Sequence, residues 1–143
     1  MIYESSCHCG NITGQLESEI KPEKFELRRC LCNFCIKHGA ITATDPNGLL
    51  RLNIGVEKDT SHYRFGLRTA EFVVCSVCGV YVAAILEADG GRFSTFNINT
   101  MKNVADFRGT PTPVNYEKES AMEKVSRRRL VWTPTVFEKL AKR

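Results

Sequence analysis

Short runs of alternating apolar and polar residues cover much of the first half of the chain, as expected of half-buried strands. Residues 12–16 and 49–54 alternate in this way. Each run follows a turn signal, Gly10-Asn11 in the first case and Asp45-Pro46-Asn47-Gly48 in the second. Phe25 and Leu27 alternate again on the approach to Cys30. The pattern predicts short strands joined by tight turns.

The middle of the chain has the strongest strand signal. Residues 71–75 and 80–86 are rich in β-branched and aromatic side chains, which favour strands. Residues 88–91, Ala-Asp-Gly-Gly, are typical of a hairpin loop, and alternation returns over residues 93–98. We therefore predict a mainly β fold made of short antiparallel sheets.

The last third of the chain changes character. Residues 109–113, Gly-Thr-Pro-Thr-Pro, are typical of a linker inside a domain, and the helix formers of residues 117–129 predict a short C-terminal helical segment. Thr133 or Thr135 is expected to cap a last short helix that runs through Leu140. We interpret the basic run at residues 127–129 as a solvated face, and Trp132 and Phe137 as core anchors.

Length and composition favour one domain over residues 1–143, with a core large enough to contribute to stability. The first six residues lack the basic start and apolar stretch of a signal peptide, and the longest apolar run, residues 80–86, is too short to span a bilayer. We therefore predict a cytoplasmic protein with no membrane partner. Thiols stay reduced in that compartment, so clustered cysteines there indicate metal binding or catalysis rather than disulfides.

The formal charge of +4 gives only a weak indication of nucleic-acid binding. Seven thiolates holding two zinc ions would lower this charge to about +1, since metal binding deprotonates the cysteines. We therefore expect no nucleic-acid partner.

The seven cysteines fall into three groups whose spacing suits metal ligands. Spacings of one or two residues let successive thiolates reach one ion, and zinc prefers soft tetrahedral ligands. Cys30, Cys32 and Cys35 are close enough in sequence to share an ion, which leaves a set of four: Cys7, Cys9, Cys75 and Cys78. Four cysteines predict a closed structural zinc site, and three predict a second zinc site with an open position.

Two alternatives remain for these groups. A thioredoxin-like role for Cys75-Ser76-Val77-Cys78 would need a βαβ pattern nearby, and the flanking segments are both strand-like. His38, three residues past Cys35, would close the second site as a fourth ligand if that site were structural.

The three cysteine groups and their neighbours resemble the glutathione-dependent formaldehyde-activating enzyme family, which includes the centromere protein V relatives. The resemblance lies in Cys7-His8-Cys9-Gly10-Asn11-Ile12, in Cys30-Leu31-Cys32-Asn33-Phe34-Cys35, in Cys75-Ser76-Val77-Cys78-Gly79 and in the ending Arg127 to Pro134. It implies a β "tent" pinned by a four-cysteine zinc. It also implies an exchangeable zinc at the CxCxxC group and a carbon–sulfur lyase activity on a glutathione adduct.

The chain departs from that family at two places near the open site. Residues 71–74 are Glu-Phe-Val-Val where relatives often carry a histidine, and Ile36-Lys37 replaces the frequent Arg-Lys. An open thiolate-bound zinc suits a small thiol substrate such as glutathione, and Glu71 is the acid–base candidate. Candidate cations beside the thiols are Arg28, Arg29 and Lys37, and the substrate's carboxylates could meet Lys37, Arg64 or Arg68. The alternative function is a zinc-stabilised protein-interaction module without catalysis.

Overall fold

The chain folds into short strands as its alternation predicts, over residues 1–138, which are the residues that this computed structural model describes. In order along the chain, the strands are β1 (Ile2–Ser6), β2 (Ile12–Glu17), β3 (Arg28–Cys30), β4 (Thr42–Ala43), β5 (Leu49–Ile54), β6 (Thr60–Tyr63), β7 (Glu71–Cys75), β8 (Tyr81–Ala88), β9 (Gly91–Asn97), β10 (Thr112–Val114) and β11 (Thr133–Phe137). The α-helices are α1 (Asn33–His38) and α2 (Ala121–Val131). Single-turn 3-10 helices lie at Pro22–Lys24, Glu57–Asp59, Ile98–Thr100 and Val104–Asp106.

These strands form one mixed sheet. Its order is β1-β2-β5-β11-β9-β4-β3-β10, and β8, β7 and β6 extend it from the other edge of β9. Most neighbours are antiparallel, but β11 runs parallel to β5 and β10 runs parallel to β3. Both parallel strands return to the sheet after long connections, which parallel pairing requires. The predicted mainly β fold with a C-terminal helix is confirmed, although the sheet is single and mixed.

Strand β8 separates two hydrophobic clusters, because successive side chains of a strand point to opposite faces. Ala83 and Ile85 belong to a large cluster with β1, β2 and β5. Ala84 and Leu86 belong to a smaller cluster that also contains Trp132. Residues 81–86 are all buried, so β8 has a covered surface on both sides. The smaller cluster lies beside α2 and includes one group of cysteines.

The predicted last helix is wrong where the structure describes it, since Thr133–Phe137 is a strand. Its polar side chains are satisfied inside the sheet: the Thr135 hydroxyl donates to Ser94 Oγ at 2.7 Å, and the Asp45 amide donates to Thr133 Oγ1 at 2.8 Å. Hydrogen bonds of this kind let hydroxyls occupy a buried strand. Leu140, the predicted end of that helix, lies outside the described residues.

Two smaller boundaries also differ from the sequence prediction. Helix α2 begins at Ala121 because Ser120 caps it in a capping box with Glu123. Residues 112–114, which include part of the predicted linker, form β10 and pair with β3. In the described part of the chain, no helix combines the length and the apolar character needed to cross a membrane.

We expect Gly14→Ala to destabilise the fold, because the added Cβ would lie 2.6 Å from Ser5 Oγ and 3.2 Å from Leu52 Cδ2. Overpacking of this kind costs about 1–3 kcal/mol. Gly91→Ala is the matched control, since its nearest neighbour would be 3.7 Å away. Urea denaturation of both variants measures the free energy of unfolding. Equal stability of the Gly14 variant and wild type would contradict this packing.

Candidate metal centres

Two tight turns, far apart in the sequence, bring four cysteines together. Cys7 and Cys9 lie in the turn between β1 and β2, and Cys75 and Cys78 lie at the end of β7 and in the turn after it. Both turns have the same closing hydrogen bond, from the Cys7 amide to the Ile12 carbonyl and from the Cys75 amide to the Val80 carbonyl. A glycine with positive φ, Gly10 at 87° and Gly79 at 79°, completes each turn.

The four sulfur atoms have the spacing of a tetrahedral ligand set. They all lie within 4.8 Å of one another, with 3.8 Å between Cys7 and Cys9 and 3.5 Å between Cys9 and Cys75. Metal–sulfur bonds of about 2.3 Å in a tetrahedron place the sulfurs about 3.8 Å apart. All seven cysteines are free, and all lie within residues 1–138. The group can therefore hold a metal ion.

Backbone amides donate hydrogen bonds to sulfur atoms of this group. The Ile12 amide donates to Cys7 Sγ at 3.3 Å. Burial raises the pKa of Cys78, but amide hydrogen bonds from Cys9 and Val80 lower it to about 6. Cys7 and Cys75 are buried, whereas Cys9 is exposed. The centre thus lies at the rim of the sheet, with two ligands anchored in the core.

The second group is built around the short helix α1. Cys30 ends β3, Cys32 is the N-cap of α1 and accepts the Cys35 amide at 3.4 Å, and Cys35 is buried one turn later. Gly39, with φ of 60°, ends the helix. The three sulfurs lie within 4.8 Å of one another, and those of Cys30 and Cys32 belong to partly exposed residues. This group, the cysteine triplet, can also hold a metal ion.

The three sulfurs of the cysteine triplet are so close together that they cannot all be thiolates at low energy unless a cation lies among them. Hydrogen bonds from Cys30 and Cys35 lower the pKa of Cys32 to about 2. Hydrogen bonds to Cys30 and Cys32, together with burial, raise the pKa of Cys35 far above its usual range. One thiolate is therefore stabilised by two neighbouring thiols, and ionising all three requires a positive ion among them.

Aromatic side chains surround the inner side of the cysteine triplet. The Phe34 ring, from α1, lies 5.0 Å from the Tyr81 ring and 4.8 Å from the Phe72 ring. Tyr81 and Trp132 belong to the same buried cluster as Cys35. Burial, then the charges of the three cysteines, raise the pKa of Tyr81 well above its usual value, so its hydroxyl stays protonated.

Glu71 does not face the cysteine triplet. Its carboxylate lies 3.4 Å from His62 Nδ1 and pairs with the Arg64 guanidinium at 3.9 Å. Phe72, the next residue of β7, is the one that packs in the cluster of the triplet, so alternation directs Glu71 to the opposite face. The structure therefore places Glu71 away from the cysteine triplet.

His38 is not brought into either group of sulfurs. The described residues that gather around the triplet with ligand atoms are its three cysteines alone. The His38 ring instead packs on the Phe34 ring, with 4.4 Å between centroids, and its side chain is exposed. The structure thus gives no support to His38 as the fourth ligand.

Two cations of α2 interact electrostatically with Cys30 of the triplet, and sequence reasoning missed both of them. Lys124 and Arg128 are four residues apart, hence on one face of the helix. Burial lowers the pKa of both, and the Cys30 charge acts against that effect. Arg28, one of the predicted cations, donates instead to Thr44 Oγ1. The sequence did offer one signal for Arg128, which precedes Trp132 by four residues and can therefore lie beside it. In the structure, the Arg128 Cζ atom lies 4.6 Å from the centroid of the Trp132 ring.

The basic run at residues 127–129 is accordingly not a uniform solvated face. Arg127 forms a double hydrogen bond to the Glu119 carboxylate and covers the Tyr116 ring. Arg128 is partly buried, and Arg129 pairs with Asp89 at 2.7 Å. Each arginine has a different surrounding, which corrects the interpretation made from the sequence.

We expect Cys9→Ser and Cys78→Ser to abolish folding, whereas Cys32→Ser keeps the fold and loses one bound metal ion. The four-cysteine group joins two distant turns, and structural metal sites supply on the order of 10 kcal/mol to small domains. That amount equals or exceeds the whole stability of many domains, about 5–15 kcal/mol. Thermal melts followed by circular dichroism, with metal content per chain, measure both effects. Identical melting of all three variants would contradict the division into two kinds of site.

The comparisons with known proteins identify a related structure. No family model matches the chain, and no curated protein matches it. Among solved structures, the chain is similar to a Rhodobacter sphaeroides protein, a structural genomics target, with 30% sequence identity and a TM-score of 0.57. The match covers 78% of this chain and 99% of that chain. At this identity and coverage, the chain belongs to the same family as the Rhodobacter sphaeroides protein.

Proposed function

We propose that both cysteine groups hold zinc, with Cys7, Cys9, Cys75 and Cys78 at a closed site and Cys30, Cys32 and Cys35 at an open one. The support is the donor set, which is all sulfur, and the 3.8 Å between Cys7 Sγ and Cys9 Sγ, which suits tetrahedral zinc. Thiolates in tetrahedral geometry favour zinc over magnesium or calcium, which prefer oxygen ligands.

We propose that the chain is a carbon–sulfur lyase whose thiol substrate completes the open site. One observation carries this proposal: the triplet offers three sulfurs and, among the described residues, no further cysteine, histidine or carboxylate joins them. Cys30 and Cys32 are partly exposed, so a ligand from solvent has access. Three protein ligands plus a vacant position is the arrangement of catalytic zinc.

The chain's own residues would hold and shield the reacting sulfur. When bound at the triplet, zinc supplies the positive charge that lowers the pKa of an incoming thiol. Phe34 and Tyr81 cover the inner side of the triplet, which directs the substrate to the exposed side of Cys30 and Cys32. Since Glu71 lies on the other face with His62 and Arg64, we propose that solvent at the exposed side carries the proton.

The proposed reaction is the addition of a thiol to an aldehyde, and its reversal. The sulfur attacks the carbonyl carbon and forms the carbon–sulfur bond while the carbonyl π bond breaks. The proton that the thiol loses ends on the new hydroxyl oxygen, so atoms and charge balance without an oxidant or a reductant. In the lyase direction the same carbon–sulfur bond breaks and releases the thiol.

The resemblance to the glutathione-dependent formaldehyde-activating enzymes makes glutathione and its S-hydroxymethyl adduct the first substrates to test. Support from the chain itself is limited to the open triplet and nearby positive charge, which would favour an anionic thiol. The alternative, a zinc-stabilised interaction module, would be favoured by a fourth protein ligand such as His38, whose ring packs on Phe34 instead.

We expect wild-type protein to contain close to two zinc ions per chain and the cobalt-substituted protein to change its charge-transfer absorption when glutathione is added. Formation of the formaldehyde adduct should then exceed the uncatalysed rate, and Cys32→Ser should abolish both effects, because it removes one ligand of the open site. Arg108→Gln, a change outside both groups, is a control that should keep them. Thiol binding without rate enhancement would indicate a different substrate, and no spectral response to any thiol would favour the interaction module.

A further inference from the structure

The Nε atom of Arg128 is the exception among buried polar atoms. In the part of the chain that the structure describes, it is the one buried side-chain nitrogen or oxygen without a hydrogen-bond partner. Buried donors are almost always paired, and an unpaired one costs about 1–3 kcal/mol. Such a group in a well-packed protein requires a physical reason.

The rest of the guanidinium is held firmly. Arg128 Nη1 donates to Thr69 Oγ1 at 2.8 Å, and the guanidinium carbon lies over the Trp132 ring, 4.6 Å from its centroid. These contacts fix the orientation of the group without neutralising it, because a hydroxyl and an aromatic face are uncharged. The direction of Nε is therefore set by the fold.

Arg128 also lacks a carboxylate partner, unlike the other cations of α2. Arg127 and Lys124 both pair with Glu119, and Arg129 pairs with Asp89, whereas Arg128 forms no ion pair with a carboxylate of the described residues. A partly buried cation without a counter-charge is unfavourable. Lys124 is less free to bind a further anion, because its ammonium also donates to the Tyr116 carbonyl at 2.7 Å.

The cysteine triplet is one source of negative charge near Arg128: burial lowers the pKa of Arg128, and the charges that oppose this effect include that of Glu119 and, more weakly, that of Cys30. Trp132, on which Arg128 rests, belongs to the same cluster as Cys30, Cys32 and Cys35. A dication on three thiolates leaves a net charge of about −1, and a fourth thiolate brings it to about −2. The open site would therefore bind a thiolate poorly unless a fixed cation stood beside it.

We infer that Arg128 is the positioning residue of the open site, whose Nε–H donates to the sulfur of the thiolate that completes it. The inference rests on the proposed function and adds a selectivity to it. A charged donor favours an anionic sulfur over neutral water, and a guanidinium stays protonated at all relevant pH values. Thr69 and Trp132 keep that donor in place before the ligand arrives.

The test measures thiol affinity on cobalt-substituted protein, with Cys32→Ser protein as the spectral blank. The probes are 2-mercaptoethanol, which has no carboxylate, and 3-mercaptopropionate, which has one. Arg128→Gln should weaken the binding of both thiols about tenfold, the size of one charge-assisted hydrogen bond. Arg129→Gln, a change of the same residue type on the same helix, should alter neither affinity, because Arg129 pairs with Asp89.

Arg128→Lys separates this role from a purely structural one. Lysine keeps the charge but lacks Nε, so the affinity should fall between those of wild type and Arg128→Gln, even if the Gln variant melts early. Wild-type affinity in Arg128→Gln or Arg128→Lys would overturn the inference, and so would a loss confined to 3-mercaptopropionate, which would assign Arg128 to a substrate carboxylate. A wild-type protein that responds to neither thiol would refute the proposed function, and this inference with it.

Discussion

The meeting of four sulfur atoms between two turns is the constraint on which the rest of the structure depends. Cys7 and Cys9 belong to one hairpin, Cys75 and Cys78 to another, and their sulfurs lie within 4.8 Å of one another. Thiolates at this distance repel one another strongly unless a cation lies among them. The intervening chain must fold so that both turns arrive together.

The two cysteine groups differ in what surrounds them, and this difference separates their roles. The four-cysteine group closes a loop between distant strands, so the loss of its ion frees a long stretch of chain. The cysteine triplet lies on a local segment, from the end of β3 through α1, and its neighbours are side chains of β7, β8 and α2. A local segment can lose its ion while the sheet remains paired. The proposed reaction therefore lies where the fold would tolerate exchange of a ligand.

The grouping of the cysteines and most strands could be predicted from the sequence, because ligand spacing and alternation are local properties. The last strand could not be predicted, because threonines such as Thr133 and Thr135 are also typical of helix caps. Only the structure shows that their hydroxyls form hydrogen bonds with Asp45 and Ser94 inside the sheet. Arg128 was missed because the basic run by itself does not show which member turns inward, and only its four-residue spacing from Trp132 distinguishes it. The face of β7 that meets the triplet also depends on tertiary packing, so the sequence alone does not show that Phe72 rather than Glu71 lies beside it.

Strand β11 lies between β5 and β9, although it is the last described strand of the chain. Among the described strands, the ladder that begins with β1, β2 and β5 reaches the remainder of the sheet only through β11. A ribosome delivers these residues after those of β5 and β9, so during synthesis the two portions of the sheet have unpaired edges at β5 and β9 until β11 emerges. Exposed edges attract other chains. A metal ion bound at the four-cysteine group would hold both portions in one nascent chain, so the supply of metal during translation would then affect how much protein aggregates.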